Sequence, residues 1–196
     1  MVIIGPVLCD KKLVLAEANS VYISEVNWAG SSSSTADEWL ELFNPTNIDI
    51  NMTDYKISFL SSNSETFLQL NGIIKASDYY LIANNPKGYQ FANGISRLGI
   101  DPDYYSSTLS LSNSNLIIKL YKNINNIWTT IDEVGDGDMP FSGGTNPYRS
   151  MQRIGKNDGK NANSFQTSNV CKNLVDCVNN YATPKAKNIF TPNVII

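Results

Sequence analysis

Two acids, Glu25 and Glu41, sit where a carboxylate can do chemistry. In the run Glu38–Asn44, alternation puts Glu41 on one face with Trp39 and Phe43, while Leu40 and Leu42 point the other way. A carboxylate between aromatic rings is either solvated on an amphipathic outer face or buried and paired. Glu25 lies one strand earlier and can be its neighbour. Two such groups can act as a glycosidase-like acid and base, or hold a hard cation. The densest acidic stretch is Asp132-Glu-Val-Gly-Asp-Gly-Asp138. Its glycines would let Asp132, Asp136 and Asp138 turn toward one calcium ion, although the spacing is not that of an EF-hand loop. A hairpin loop rich in Asp-Gly turn dipeptides accounts for the same residues.

Cys171 and Cys177, with five residues between them, are close enough in the chain to close a short disulfide loop, which needs an oxidising compartment. Two thiolates without histidine leave a zinc ion under-ligated. The run Ser31–Ser34 offers hydroxyls, but no Gly-x-Ser-x-Gly elbow surrounds it, and the 196 residues contain no histidine to activate one. That absence also removes the Ser-His-Asp and Cys-His arrangements. Fifteen basic against eighteen acidic residues give a net charge of −3, too little positive field to draw phosphate backbones. The last quarter is nonetheless locally basic, with Arg149, Arg153, Lys156, Lys160, Lys172, Lys185 and Lys187, and is the candidate nucleic-acid patch. Tyr79-Tyr80, Tyr104-Tyr105 and Trp28 are candidates for sugar stacking or protein contact.

The frame that must position these groups reads as all-β. Hydrophobic residues make up 42% and charged residues 17%, enough to build one core at a length suited to a single domain. Short apolar runs alternate with Asn, Gly, Ser, Pro and Asp clusters, the spacing of a sandwich or barrel. Strands are expected over Val21–Asn27, Glu38–Asn44, Lys56–Leu60, Thr66–Leu70, Tyr79–Ala83, Thr108–Leu111, Leu116–Tyr121, Trp128–Val134 and Ser150–Ile154. One helical turn is expected in Ile100–Ser106, after Asp101-Pro102. Gly155–Asn169 is polar and poor in anchors except Phe165. Residues 1–18 are expected to be a leader, with Ala16-Glu17-Ala18 before Asn19, though Asp10, Lys11 and Lys12 interrupt its apolar run. Its removal would take Cys9 and leave an even cysteine pair. Residues 19–188 form the domain and 189–196 a linker or continuation. No stretch after Ala18 approaches the roughly 18 apolar residues of a membrane span.

Several ordered strings carry a resemblance: Ile23-Ser-Glu-Val-Asn-Trp-Ala-Gly-Ser-Ser-Ser-Ser34, Asp37-Glu-Trp-Leu-Glu-Leu-Phe-Asn-Pro-Thr46, Leu109-Ser-Leu-Ser-Asn-Ser114, Ser150-Met-Gln-Arg-Ile154 and Ala182-Thr-Pro-Lys-Ala-Lys-Asn188. Together, from about Val21 to Asn188, the chain resembles the lamin tail domain family, in its bacterial exported branch. The resemblance implies an immunoglobulin-like β-sandwich, a structural role for Glu41 and no catalytic residues. In bacteria such domains serve as secreted or surface modules, often joined to nucleases and other hydrolases; the animal relatives serve protein and chromatin contacts. Phe165 stands where the family usually has Trp, and the Cys171/Cys177 pair is not a family hallmark. The expectation is a non-catalytic, secreted or cell-surface module for attachment to a protein or glycan, with no cofactor beyond a possible calcium. The alternatives are a DNA-tethering accessory domain of an exported nuclease, and a small hydrolase using Glu25 and Glu41.

Overall fold

The computed structural model describes residues 20–61 and 64–190. The expected leader over residues 1–18 and most of the expected tail lie outside the described residues.

Among the described residues, ten of the strands build the two largest sheets. β1 is Tyr22–Asn27, β2 Trp39–Phe43, β3 Tyr55–Ser61, β4 Ser64–Gln69 and β5 Tyr79–Ala83. β6 is Tyr104–Tyr105, β7 Ile118–Ile124, β8 Ile127–Val134, β9 Met151–Arg153 and β10 Phe165–Thr167. The six-stranded sheet runs β6-β5-β2-β1-β9-β10 and the four-stranded sheet β8-β7-β3-β4. Alternation decides which side chains meet. Ile23, Leu40, Leu42 and Ile82 from the first sheet join Ile57, Phe59, Ile118 and Leu120 from the second in one buried cluster, the core of an immunoglobulin-like sandwich.

Two register slips bend this pattern. Between Ile23 and Glu25 the β1–β2 ladder takes in an extra residue, Ser24. The bulge keeps both Ile23 and Val26 in the core while Tyr22 and Glu25 point outward, which strict alternation forbids. A second slip, beside Leu120 and Tyr121, leaves Asp132 opposite the core residue Leu120. Asp132 is buried as a result.

The outer face of the six-stranded sheet carries a second cluster: Trp39, Leu81 and Ala83 pack with Leu98 and Ala182, contributed by loops. That sheet is therefore covered on part of both faces. Leu174, beside the Cys171–Cys177 disulfide, packs against the same cluster.

Three local expectations are corrected. Thr108–Leu111 is not a strand; Leu109 and Leu111 are buried, but the Leu111 N–H donates to the Glu38 carboxylate at 3.0 Å rather than to a ladder. Ile100–Ser106 contains no helical turn, because Tyr104–Tyr105 pairs parallel with β5 and Asp103 accepts the Leu81 N–H at 2.8 Å. Gly155–Asn169 supplies the edge strand β10, anchored by buried Phe165 against Phe141 with ring centroids 5.6 Å apart.

Candidate functional site

The outward side chains of β1, β2 and β5 form three rows. Tyr22, Phe43 and Tyr79 are cross-strand neighbours, then Glu25, Glu41 and Leu81, then Asn27, Trp39 and Ala83. The middle row is sealed. Glu25 and Glu41 are each 0% exposed, and a strap of chain, residues 182–188, lies over them. The Thr183 N–H donates to Glu25 Oε1 at 2.9 Å, and its Oγ1 hydroxyl to Oε2 at 2.6 Å. Ser150 Oγ donates to the same Oε1. Ser24 Oγ donates to Glu41 Oε1 at 3.0 Å, and the Lys185 N–H donates to Oε2. The bulge completes the attachment, because Asn188 Nδ2 donates to the Ser24 carbonyl at 2.9 Å. All four carboxyl oxygens take protein donors.

Burial pushes the Glu25 carboxyl above the usual carboxylate range, against the pull of the Ser150 and Thr183 hydrogen bonds. Glu41 is raised well above that range by burial and then by repulsion from Glu25, with the Lys185 N–H working the other way. Raised pKa values suit a general acid, but only one a substrate can reach. The geometry argues against the hydrolase reading of Glu25 and Glu41, since both carboxyls are fully buried and their oxygens already accept from Thr183, Lys185, Ser150 and Ser24.

The first row is open. Tyr22 and Phe43 meet edge-on with centroids 5.7 Å apart, and Phe43 and Tyr79 are tilted at 4.8 Å. These half-buried rings floor a groove of about 490 Å³, within the roughly 300–1,000 Å³ of ligand sites. Lys187 at the end of the strap, Phe190 just past it and Arg153 also line the groove.

A model of the Lamin Tail Domain matches residues 15–138. The chain belongs to the lamin tail domain family. No curated protein matches it. The matched segment of this lamin tail domain holds Tyr22, Glu25, Glu41, Phe43 and Tyr79. The strap, β9 and β10 lie beyond it, so the acids are supplied from within the matched segment and their covering from outside.

The remaining candidates take structural positions. Asp132, Asp136 and Asp138 do not converge on a cation site. Asp132 Oδ2 lies 2.6 Å from Arg153 Nη1 and accepts the Ile23 N–H at 2.8 Å, while Asp136 accepts the Asp138 N–H at 3.1 Å. Among the described residues no three His, Cys, Asp or Glu side chains group as metal ligands. Ser31 Oγ donates to Asp37 at 2.6 Å and Ser33 Oγ to the Ile95 carbonyl at 2.6 Å, so those hydroxyls tie down their loop. The Cys171 and Cys177 sulfurs are bonded, with Cα atoms 5.6 Å apart.

At least four of the seven residues of the basic quarter are engaged by partners. Arg153 pairs with Asp132, Lys160 with Glu133 at 2.9 Å and Lys185 with Asp103 at 2.8 Å, while Arg149 stacks on Tyr181. Tyr80 and Trp28 are buried, Tyr104 packs against the core and Tyr105 is exposed, leaving Tyr79 as the predicted aromatic that lines the groove. Alternation had placed Phe43 outward beside Glu41. Tyr22 escaped sequence reasoning because it reaches the outer face through the bulge. On the four-stranded sheet, Phe67, Tyr121 and Trp128 also face outward, but the Lys56 ammonium already occupies them, 4.5 Å from the Trp128 ring centre and 4.7 Å from that of Phe67.

Proposed function

We propose that this lamin tail domain is an exported, non-catalytic attachment module that recognises a protein or glycan at a cell surface through the Tyr22–Phe43–Tyr79 groove. The observation that carries this reading is the contrast on one sheet face: the paired acids that catalysis would need are sealed, while an aromatic floor stays open beside them. Rigid rings on interior strands give large contact area at low entropic cost, which suits recognition. The Cys171–Cys177 bond supports export, since such a bridge persists in oxidising compartments.

Retention of the purified domain on native cell-surface material tests the reading. Tyr79→Ala is expected to reduce retention severalfold while the protein stays folded by circular dichroism. Unchanged retention would overturn the groove as the contact site. Turnover of ester, glycoside or phosphodiester substrates, abolished by Glu41→Gln, would overturn the non-catalytic assignment. Mass spectrometry of exported protein is expected to show a start at Asn19 and a mass two hydrogen atoms below that of the reduced chain.

A further inference from the structure

We infer that the groove takes an acidic saccharide, a sugar ring carrying a carboxylate or a phosphate. This rests on the groove being the recognition site.

Three observations select that chemistry. The first is charge. In a chain of net charge −3, the groove is lined, among the described residues, by Lys187 and Arg153 and by no Asp or Glu. Arg153 is matched by Asp132, so the exposed Lys187 ammonium at the wall is the cation left for a ligand. Glu41 lies nearby but is fully buried under the strap, with both carboxyl oxygens engaged by Ser24 and the Lys185 N–H.

The second is what the floor offers. Tyr22, Phe43 and Tyr79 present half-buried ring surface to the C–H faces of a sugar. Burial raises the pKa of both tyrosines, so their hydroxyls stay protonated at physiological pH. Among the described residues neither hydroxyl has a hydrogen-bond partner, so each is available to a sugar hydroxyl.

The third argues against a peptide laid as an added strand. β1 lies between β2 and β9, β2 between β1 and β5, and β5 between β2 and β6. Beyond the short β6 and β9 pairings, the main-chain N–H groups beside the floor already donate to side chains, Leu81 to Asp103, Tyr79 to Asp78 and Ile23 to Asp132, so an added strand would have to displace them.

Isothermal titration of the full chain tests this with three probes of equal length: tri-galacturonic acid, a phosphorylated trisaccharide and the neutral galactotriose. Saturable binding of at least one acidic probe is expected, at least tenfold tighter than the neutral one, and the stronger of the two identifies the source of the charge. Lys187→Gln, an exposed change compatible with folding, should weaken acidic binding about tenfold. Tyr79→Phe, which keeps the ring, should weaken it about threefold, and Lys172→Gln should leave it unchanged. Equal affinity for the neutral probe, or no binding of either acid, would overturn the inference. If Tyr79→Ala still abolishes cell-surface retention in that case, the groove remains the recognition site and only the ligand class fails. If retention survives Tyr79→Ala, the groove assignment itself has failed.

Discussion

On the outer face of the six-stranded sheet, the aromatic row Tyr22–Phe43–Tyr79 and the acid row Glu25–Glu41 lie side by side, yet one is open and the other closed. The difference lies in what each row demands of the chain. Buried carboxylates need donors, and the strap meets that need with the Thr183 and Lys185 N–H groups and the Thr183 hydroxyl. The aromatic rings need only partial cover, and they receive it from each other. Polar chemistry on this face is thus used to hold the fold, and apolar surface is left for contact.

The comparison breaks most sharply at Glu25. Glu25→Ala leaves the Ser150 hydroxyl and both Thr183 donors without their acceptor, and is expected to destabilise the domain by about 3–4 kcal/mol in urea unfolding. A loss below about 1 kcal/mol would show that the strap does not depend on the acid row. The next effect is in pH. Burial pushes Glu38 up to about 8, only partly offset by the Leu111 N–H, and Glu25 and Glu41 are shifted in the same direction. These groups titrate near 4.5 in the unfolded chain. The folded state therefore holds more protons between those values, so stability is greatest at the acid end and declines as pH rises through about 8. A drop of about 2–4 kcal/mol between pH 5 and 8.5 is expected, with Glu38→Gln flattening the profile. An unfolding midpoint independent of pH would contradict it.

Replacing both Cys171 and Cys177 by Ser should cost about 2 kcal/mol by releasing a short loop in the unfolded chain, read as a lower melting temperature without loss of attachment. Lys187→Gln stands at the other end of the scale. Its stability should stay within about 0.5 kcal/mol of the parent while retention on cell-surface material falls.

The strands were legible wherever alternation was regular. Leu40 against Glu41, Ile57 with Phe59 and Ile118 with Leu120 all take their expected faces, and Glu25 is the neighbour of Glu41 as expected, although it reaches that face through the bulge at Ser24. What escaped is long-range or irregular. Glu25 finds its partner Thr183 at a separation of 158 residues, and no local pattern announces that contact. Tyr22 joins the open row through an extra residue at Ser24, and Asp132 leaves the candidate calcium loop through the slip in β8. Periodicity reads faces only while the period holds. Short pieces such as Tyr104–Tyr105 owe their state to a neighbouring strand rather than to their own sequence.

Amide shift mapping by NMR, with native cell-surface extract titrated into the labelled domain, tests the division of labour most directly. Shifts concentrated at Tyr22, Phe43, Tyr79 and Lys187, with Phe67 and Trp128 unmoved, are the predicted result. Shifts centred on the Phe67–Trp128 face instead, or none on either face, would contradict it.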